Sequence, residues 1–148
     1  MQAKNLATSI HAQVKKYSDR KENALYYKEG DEWKGISWKD FGERIDNAAK
    51  GLLELGAKEN DMIAIYSENR PEWVISDYAI MSIKCATVAI YASNTAEQAE
   101  YIVDDAKCKI IFVDDQFQYD NVMKFYKGNT KIGHVVVFSK SVKIDEND

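Results

Sequence analysis

Proline occurs once, at Pro71, and no Gly/Ser-rich stretch interrupts the 148 residues. No linker therefore marks an internal boundary, and the length fits one domain able to bury a useful core. Two cysteines, Cys85 and Cys108, are too few for a disulfide framework. Each abuts an apolar run, so two reduced, partly buried thiols in a cytosolic protein are expected. The two histidines, His11 and His134, lie far apart, and no Cys/His spacing indicates zinc. His11 is expected on a helix surface and His134 at a strand entrance, both structural. The seven glycines build no phosphate loop: G-x-x-x-x-G-K and G-x-G-x-x-G are absent, as is the G-x-S-x-G elbow.

Other absences narrow the class further. No apolar run approaches the length that spans a bilayer. The polar opening, Met1-Gln2-Ala3-Lys4-Asn5, has no hydrophobic segment with a small-residue cleavage site, so secretion is not expected. A net charge of -4 without a Lys/Arg block argues against nucleic acid, which relies on clustered cations to neutralise phosphates. The 45% apolar and 30% charged composition is that of an ordinary globular protein. Taken alone, these residues offer no catalytic constellation.

What is present is a strand–helix alternation. Met62-Ile63-Ala64-Ile65-Tyr66, Ala86-Thr87-Val88-Ala89-Ile90 and Ile110-Ile111-Phe112-Val113 are short apolar runs, suited to strands covered on both faces. Pro71 to Lys84 and Thr95 to Lys107 between them are long enough for crossover helices. Val135-Val136-Val137-Phe138 supplies a fourth strand, after a helix from Gln116 to Tyr126 carrying Phe117, Val122 and Phe125. The default architecture is α/β: a mostly parallel, right-handed wound sheet with helices on both faces.

Ahead of the sheet, Leu6, Ile10, Val14 and Tyr17 recur at helical spacing over roughly residues 5–17. Ala24 to Lys28 and Glu32 to Ile36 flank Glu29-Gly30-Asp31, a hairpin signal. Cross-strand packing is the simplest reason for Tyr26, Tyr27 and Trp33, with a ligand-stacking platform as the second reading. Ser37 is placed to cap a helix whose stripe is Phe41, Ile45, Ala48, Leu52 and Leu55, with Gly56 as its left-handed stop. Glu43, Asp46, Asn47, Lys50 and Glu54 form its solvated face. Pro71 fits the first turn of the next helix, which is apolar around most of its girth and implies cover on more than one side. Thr95-Ala96-Glu97-Gln98 matches a capping box ahead of the stripe Ala99, Ile102, Val103 and Ala106. The expected organisation is a leading helix over 1–22, an α/β subdomain over 23–138 and a disordered polar tail over 139–148.

Several of these segments, in this order and spacing, resemble the opening of an AMP-forming acyl-CoA synthetase of the adenylate-forming superfamily. They are Ser37-Trp38-Lys39-Asp40-Phe41, the run from Asn60 to Trp73, Val88-Ala89-Ile90-Tyr91, Glu97 to Asp105, and Lys109 to Asp114. The match covers about residues 23 to 138. Ser67-Glu68-Asn69-Arg70-Pro71-Glu72-Trp73 is most similar to the long-chain fatty-acid ligases. Two departures stand out. The family usually has proline where Ala89 stands, and Gly-Ala or Gly-Cys where Lys84-Cys85 stands.

The resemblance implies a parent enzyme of two-step chemistry. A fatty carboxylate attacks the α-phosphate of Mg-ATP to give acyl-adenylate and pyrophosphate, and coenzyme A then displaces AMP as a thioester forms. The expected location is cytoplasmic, with peripheral association at a membrane as the alternative. The family's Ser/Thr/Gly-rich phosphate loop with its lysine, its Tyr-Gly-x-Thr-Glu segment, its ribose-binding aspartate and its C-terminal lysine have no counterpart among these residues. No catalytic, cofactor-binding or metal residue is therefore carried over. The chain is expected to bind no cofactor by itself, to be inactive alone, and to have the remainder of its own chain as partner.

Wound sheets gather ligands at the carboxyl ends of their strands. Here those ends are Ser67-Glu68-Asn69, Tyr91-Ala92-Ser93-Asn94 and Asp114-Asp115. Helix caps and turns account for all three, with a share in the wall of an acyl cleft as the second reading. Two other functional readings stay open. One is a fragment of an amino- or aryl-acid adenylating enzyme. The other is a stand-alone flavodoxin- or receiver-like signalling module, in which Asp114-Asp115 invites a phospho-acceptor role. Glu68 is single there, and Lys140 is not set in the turn a receiver needs.

Overall fold

The structure, a computed structural model, describes residues 5–128 and 130–144. In chain order its elements are α1 (Leu6–Tyr17), β1 (Asn23–Glu29), β2 (Glu32–Ser37), α2 (Trp38–Glu54), β3 (Met62–Ser67), α3 (Pro71–Ser82), β4 (Ala86–Tyr91), α4 (Ala96–Asp105), β5 (Ile110–Val113), α5 (Gln116–Met123) and β6 (His134–Val137). They fall into two compact units. One comprises the chain up to Lys58 together with Arg70–Lys84, the other Glu59–Asn69 and the chain from Cys85 onward.

In the first unit, α1, α2 and α3 pack on one another and the hairpin packs on α2. Ser37 Oγ accepts the Asp40 N–H (3.0 Å), as the sequence predicts for the start of α2. The helix ends where Gly56 turns left-handed (φ 86°). The Gly56 N–H then reaches the Leu53 carbonyl and the Ala57 N–H reaches Leu52, which is a Schellman stop. Phe41, Ile45, Ala49 and Leu52 are buried, whereas Ala48 and Leu55 are only half-buried, so the stripe is rotated slightly from the predicted one. Gly42 allows α1 to approach closely: a Cβ there would sit 2.4 Å from Val14 Cγ1. Phe41 packs edge-on against Tyr78 of α3, with ring centroids 6.1 Å apart.

The hairpin forms as expected, with Gly30 at φ 61° in a two-residue loop. Its aromatics do not pack across the ladder. The register sets Tyr26 opposite Gly35, Tyr27 opposite Lys34 and Trp33 opposite Lys28. Tyr26 and Trp33 are exposed. Aromatic composition identified the strands, but register decided the neighbours.

In the second unit four strands lie in the order β4-β3-β5-β6, every neighbouring pair parallel. The α/β expectation is met: a parallel sheet flanked by helices, preceded by a helix and an antiparallel hairpin. Ala64, Tyr66, Ile111 and Val113 meet Ala99 and Val103 of α4 and Val122 of α5 in one core. Removing each large apolar side chain from water there contributes about 1.5–3 kcal/mol. Alternate residues of the sheet, Ile63, Ile65 and Ile110, are buried as well. Thr95 forms the predicted capping box with Gln98, both hydrogen bonds being present. Among the described residues no helix is long and apolar enough to cross a membrane.

Two expectations change here. The helix predicted to run to Tyr126 stops at Met123, because the Phe125 and Gly128 N–H groups turn back to the Val122 and Phe125 carbonyls. Phe117 is exposed, since the Asp115 cap rotates Gln118, Tyr119, Asn121 and Val122 inward instead. Of the segment expected to form a disordered tail, the part up to Ile144 is tied down. The Lys143 N–H donates to Gln116 Oε1 (2.8 Å), and Val142 lies on the core. Residues 145–148 of that tail lie outside the described residues.

Lys84 and Lys107 follow α3 and α4 with φ of 61° and 57°. Both occupy the left-handed position that glycine fills after α2, where an L side chain costs about 1–2 kcal/mol. Lys84→Gly should therefore raise stability by about 0.5–1 kcal/mol after glycine's own entropic penalty. In a chain of this size that is a Tm increase of about 1–4 °C by differential scanning calorimetry. Gly56→Ala should lower stability by a similar amount.

Candidate functional site

The strand order places β4 and β5 on opposite sides of β3, so the direction of winding reverses there. A reversal of this kind opens a crevice at the carboxyl ends of the strands. The three loops at those ends contribute hydroxyls, amides and acids at residues 67–69, 91–94 and 114–115, and the loop after β3 ends in Arg70, the N-cap of α3, whose Nε donates to Glu72 Oε2 (2.8 Å).

These groups are largely spent on one another. Asp114 is buried, and its Oδ2 accepts the Glu68 N–H (3.0 Å), tying the end of β5 to the end of β3. Its carbonyl accepts the Ser139 N–H (3.1 Å). Asp115 is the N-cap of α5: its side chain takes the Phe117 N–H (3.0 Å) while Gln118 Oε1 takes the Asp115 N–H. Ser67 Oγ donates to the Glu68 carbonyl (2.8 Å).

A second set of bonds holds the loop after β4. Gln118 Nε2 donates to the Ala92 carbonyl (3.0 Å), and the Tyr66 hydroxyl donates to the Asn94 carbonyl. Asn121 Nδ2 donates in turn to the Tyr66 oxygen (3.0 Å). Burial raises the Tyr66 phenol above its ordinary pKa, and the Asn121 hydrogen bond offsets part of that rise. Gln118 and Asn121 are buried amides that the sequence reading did not single out. Their spacing of three on a helix flanked by Val122 and Phe125 was the available signal.

The remaining chemistry-bearing groups lie elsewhere. Cys85 and Cys108 form no disulfide and are buried, more deeply than expected. Burial pushes the Cys108 thiol up to about 11, and it raises Cys85 as well. His11 lies exposed on α1, with Nε2 3.1 Å from Ser82 Oγ; His134 opens β6 opposite Ile110. No three Asp, Glu, His or Cys side chains among the described residues converge as metal ligands. A nucleotide triphosphate brings concentrated negative charge and needs positioned cations or free N–H donors. The loops offer carboxylates, and the Glu68 N–H is already taken by Asp114. No step is assigned to them.

Residues 10–147 match the family described as AMP-binding enzyme, and the chain belongs to that family. Among its relatives, the long-chain-fatty-acid–CoA ligase ACSBG1 of Homo sapiens is 32% identical over 117 residues, 79% of this chain and 16% of that protein. Fatty acyl-CoA synthetase A of Dictyostelium discoideum is 40% identical over 84 residues, 57% of this chain and 12% of that protein. The chain thus spans less than a fifth of the length of these curated relatives. The fold recurs in the anthranilate CoA ligase AuaEII in complex with anthranoyl-AMP, with a TM-score of 0.80 at 17% identity over 91% of this chain and 25% of that one. It recurs also in a putative long-chain-fatty-acid CoA ligase from Rhodopseudomonas palustris CGA009, with a TM-score of 0.79 at 16% identity over 96% of this chain and 34% of that one. At the Lys84-Cys85 departure Lys84 itself adopts the left-handed conformation.

Asp114→Ala would leave the Glu68 N–H without its acceptor and should cost about 1–3 kcal/mol in urea denaturation. The raised Cys108 thiol sets a pH dependence. The folded chain holds that proton more tightly than the unfolded one, so stability is full below the ordinary value of 9.0 and falls as pH rises toward about 11. Cys108→Ala should flatten that alkaline slope in melts between those pH values. In the native chain at pH 8, alkylation of Cys108 by iodoacetamide should be much slower than in urea.

Proposed function

We propose that this chain is the opening portion of an ATP-dependent long-chain fatty-acid–CoA ligase and catalyses no step by itself. In this reading residues 1–22 lead, 23–138 form the α/β subdomain and 139–148 continue toward the remainder of the chain, its principal partner. Fatty acid, ATP with Mg and coenzyme A are substrates and cofactors of the whole enzyme, in the cytoplasm or peripherally at a membrane, with no role for nucleic acid. The observation that carries the proposal is the state of the strand-end loops. In a chain of this family the strand-end groups bond to one another, Glu68 to Asp114 and Asp115 to Gln118, and the cation of the loop after β3, Arg70, is held by Glu72. Such a network braces a wall rather than gripping a nucleotide.

The relatives named for long-chain substrates favour that acid class over amino or aryl acids. Against a receiver-like role stands Asp114 itself. A phospho-acceptor carboxylate has to be open to its donor, whereas this one is buried on the Glu68 N–H.

The 148-residue chain should give no ATP–pyrophosphate exchange with palmitate, benzoate or any amino acid. Exchange above background would overturn the proposal. Sequencing the gene past codon 148 should show a continuing frame with a Gly-rich Thr/Ser loop.

A further inference from the structure

Helix α5 spans eight residues, and bonds from two segments distant from each other in sequence end on its first turn. On one side is the chain that leaves β6. The Ser139 N–H donates to the Asp114 carbonyl (3.1 Å), and Val142 lies on the core. Gln116 then grips the backbone of Lys143 with both ends of its amide. Its Oε1 accepts the Lys143 N–H (2.8 Å), and its Nε2 donates to the Lys143 C=O (3.4 Å). The second Nε2 proton goes to Asp120 Oδ1 (2.7 Å), one turn along, which fixes the plane of the amide.

On the other side is the loop after β4. Gln118 is buried and stretched between two bonds: its Oε1 takes the Asp115 N–H (3.3 Å), and its Nε2 reaches the Ala92 carbonyl (3.0 Å). The Asn94 carbonyl is held by the Tyr66 hydroxyl, and this bond also leads back to α5, because Asn121 Nδ2 fixes the Tyr66 oxygen (3.0 Å). Within the loop the Asn94 N–H closes on the Tyr91 carbonyl (2.9 Å). Residues 139–144 and residues 91–94 are thus tied to the same short helix, one through Gln116 and the other through Gln118.

We propose that the first turn of α5 is a coupling element: the docking of residues 139–144 on Gln116 favours the fixed form of loop 91–94 at the strand ends, and the fixed loop favours docking equally. The step between the two is the Asp115 cap. Helix ends open before helix interiors do, and the Gln116 bonds to Lys143 and Asp120 hold this end closed. When residues 139–144 come away, the turn opens more often. Gln118 then loses the Asp115 N–H that orients its amide toward Ala92. The coupling needs no substrate and no further domain, so it stands or falls separately from the ligase reading.

Amide hydrogen exchange followed by NMR tests this, since it reads local opening residue by residue. Gln116→Ala should speed exchange of the Asn94 amide about fivefold, the low end of typical coupling between sites. Lys143→Pro, which removes the N–H that Gln116 accepts, should do the same, and the double variant no more than either alone. Reciprocity requires that Gln118→Met, which loses the bond to Ala92, speed exchange of the Lys143 amide by the same factor. Should that variant fail to fold, Ser93→Gly loosens the loop from its exposed side and serves instead. The Ile65 and Phe112 amides inside the sheet should not change, which separates local opening from a loss of global stability. An Asn94 amide indifferent to the Gln116 and Lys143 variants, additive effects in the double variant, a Lys143 amide indifferent to the loop, or equal acceleration at Ile65 and Phe112 would each overturn the proposal.

Discussion

Strand β3 is hydrogen-bonded along both edges, and the second unit depends on its register. Ile63 pairs with Thr87 of β4 on one side and Ile110 of β5 on the other, and the match continues through Tyr66. Each of the four residues from Ile63 to Tyr66 has no exposed surface. A slip of one residue would exchange Ala64 and Tyr66 for Ile63 and Ile65, side chains of different size and shape, in the core shared with α4 and α5. It would also carry the Tyr66 hydroxyl away from Asn121 and the Asn94 carbonyl. Packing and polar bonding thus select the same alignment, and the loops at the carboxyl end inherit their positions from it.

The parts of this fold legible in the sequence are those fixed by local chemistry. Ser37 and Gly56 bracket α2 because a cap and a left-handed stop act within one turn of the chain. Thr95 and Gln98 do the same for α4, and the apolar runs gave all four sheet strands to within a residue or so. What was not legible depended on partners distant in sequence. Cross-strand packing is the expectation for Tyr26, Tyr27 and Trp33, but the hairpin register puts Gly35, Lys34 and Lys28 opposite them. Phe117 is an apolar residue of α5, yet it is exposed while the Asp115 cap turns Gln118 and Asn121 inward. Lys84 and Lys107 stop their helices as glycine would, which composition alone does not reveal.

The candidate site was legible in location and in kind, but not in detail. Strand ends of a wound sheet are found by counting strands, and helix caps are found by residue type. Asp115 does cap α5, as such a reading expects. Asp114 does something else: it accepts a backbone N–H 46 residues away in sequence. No local pattern encodes a bond of that separation. The buried amides are a similar case. Gln118 and Asn121 are tolerable inside only because the Ala92 carbonyl and the Tyr66 hydroxyl wait for them.

The chain passes between its two units at Lys58, Asn69 and Lys84, so neither is continuous in sequence. A ribosome delivers residues in order, and this threading dictates what a nascent chain can finish at each stage. The three-helix unit lacks α3 until Lys84 has emerged from the exit tunnel. By then β3 has already been synthesised and has neither neighbouring strand to bond. An apolar segment of four fully buried residues is therefore made well before β5, its partner on one side, is available to pair with it.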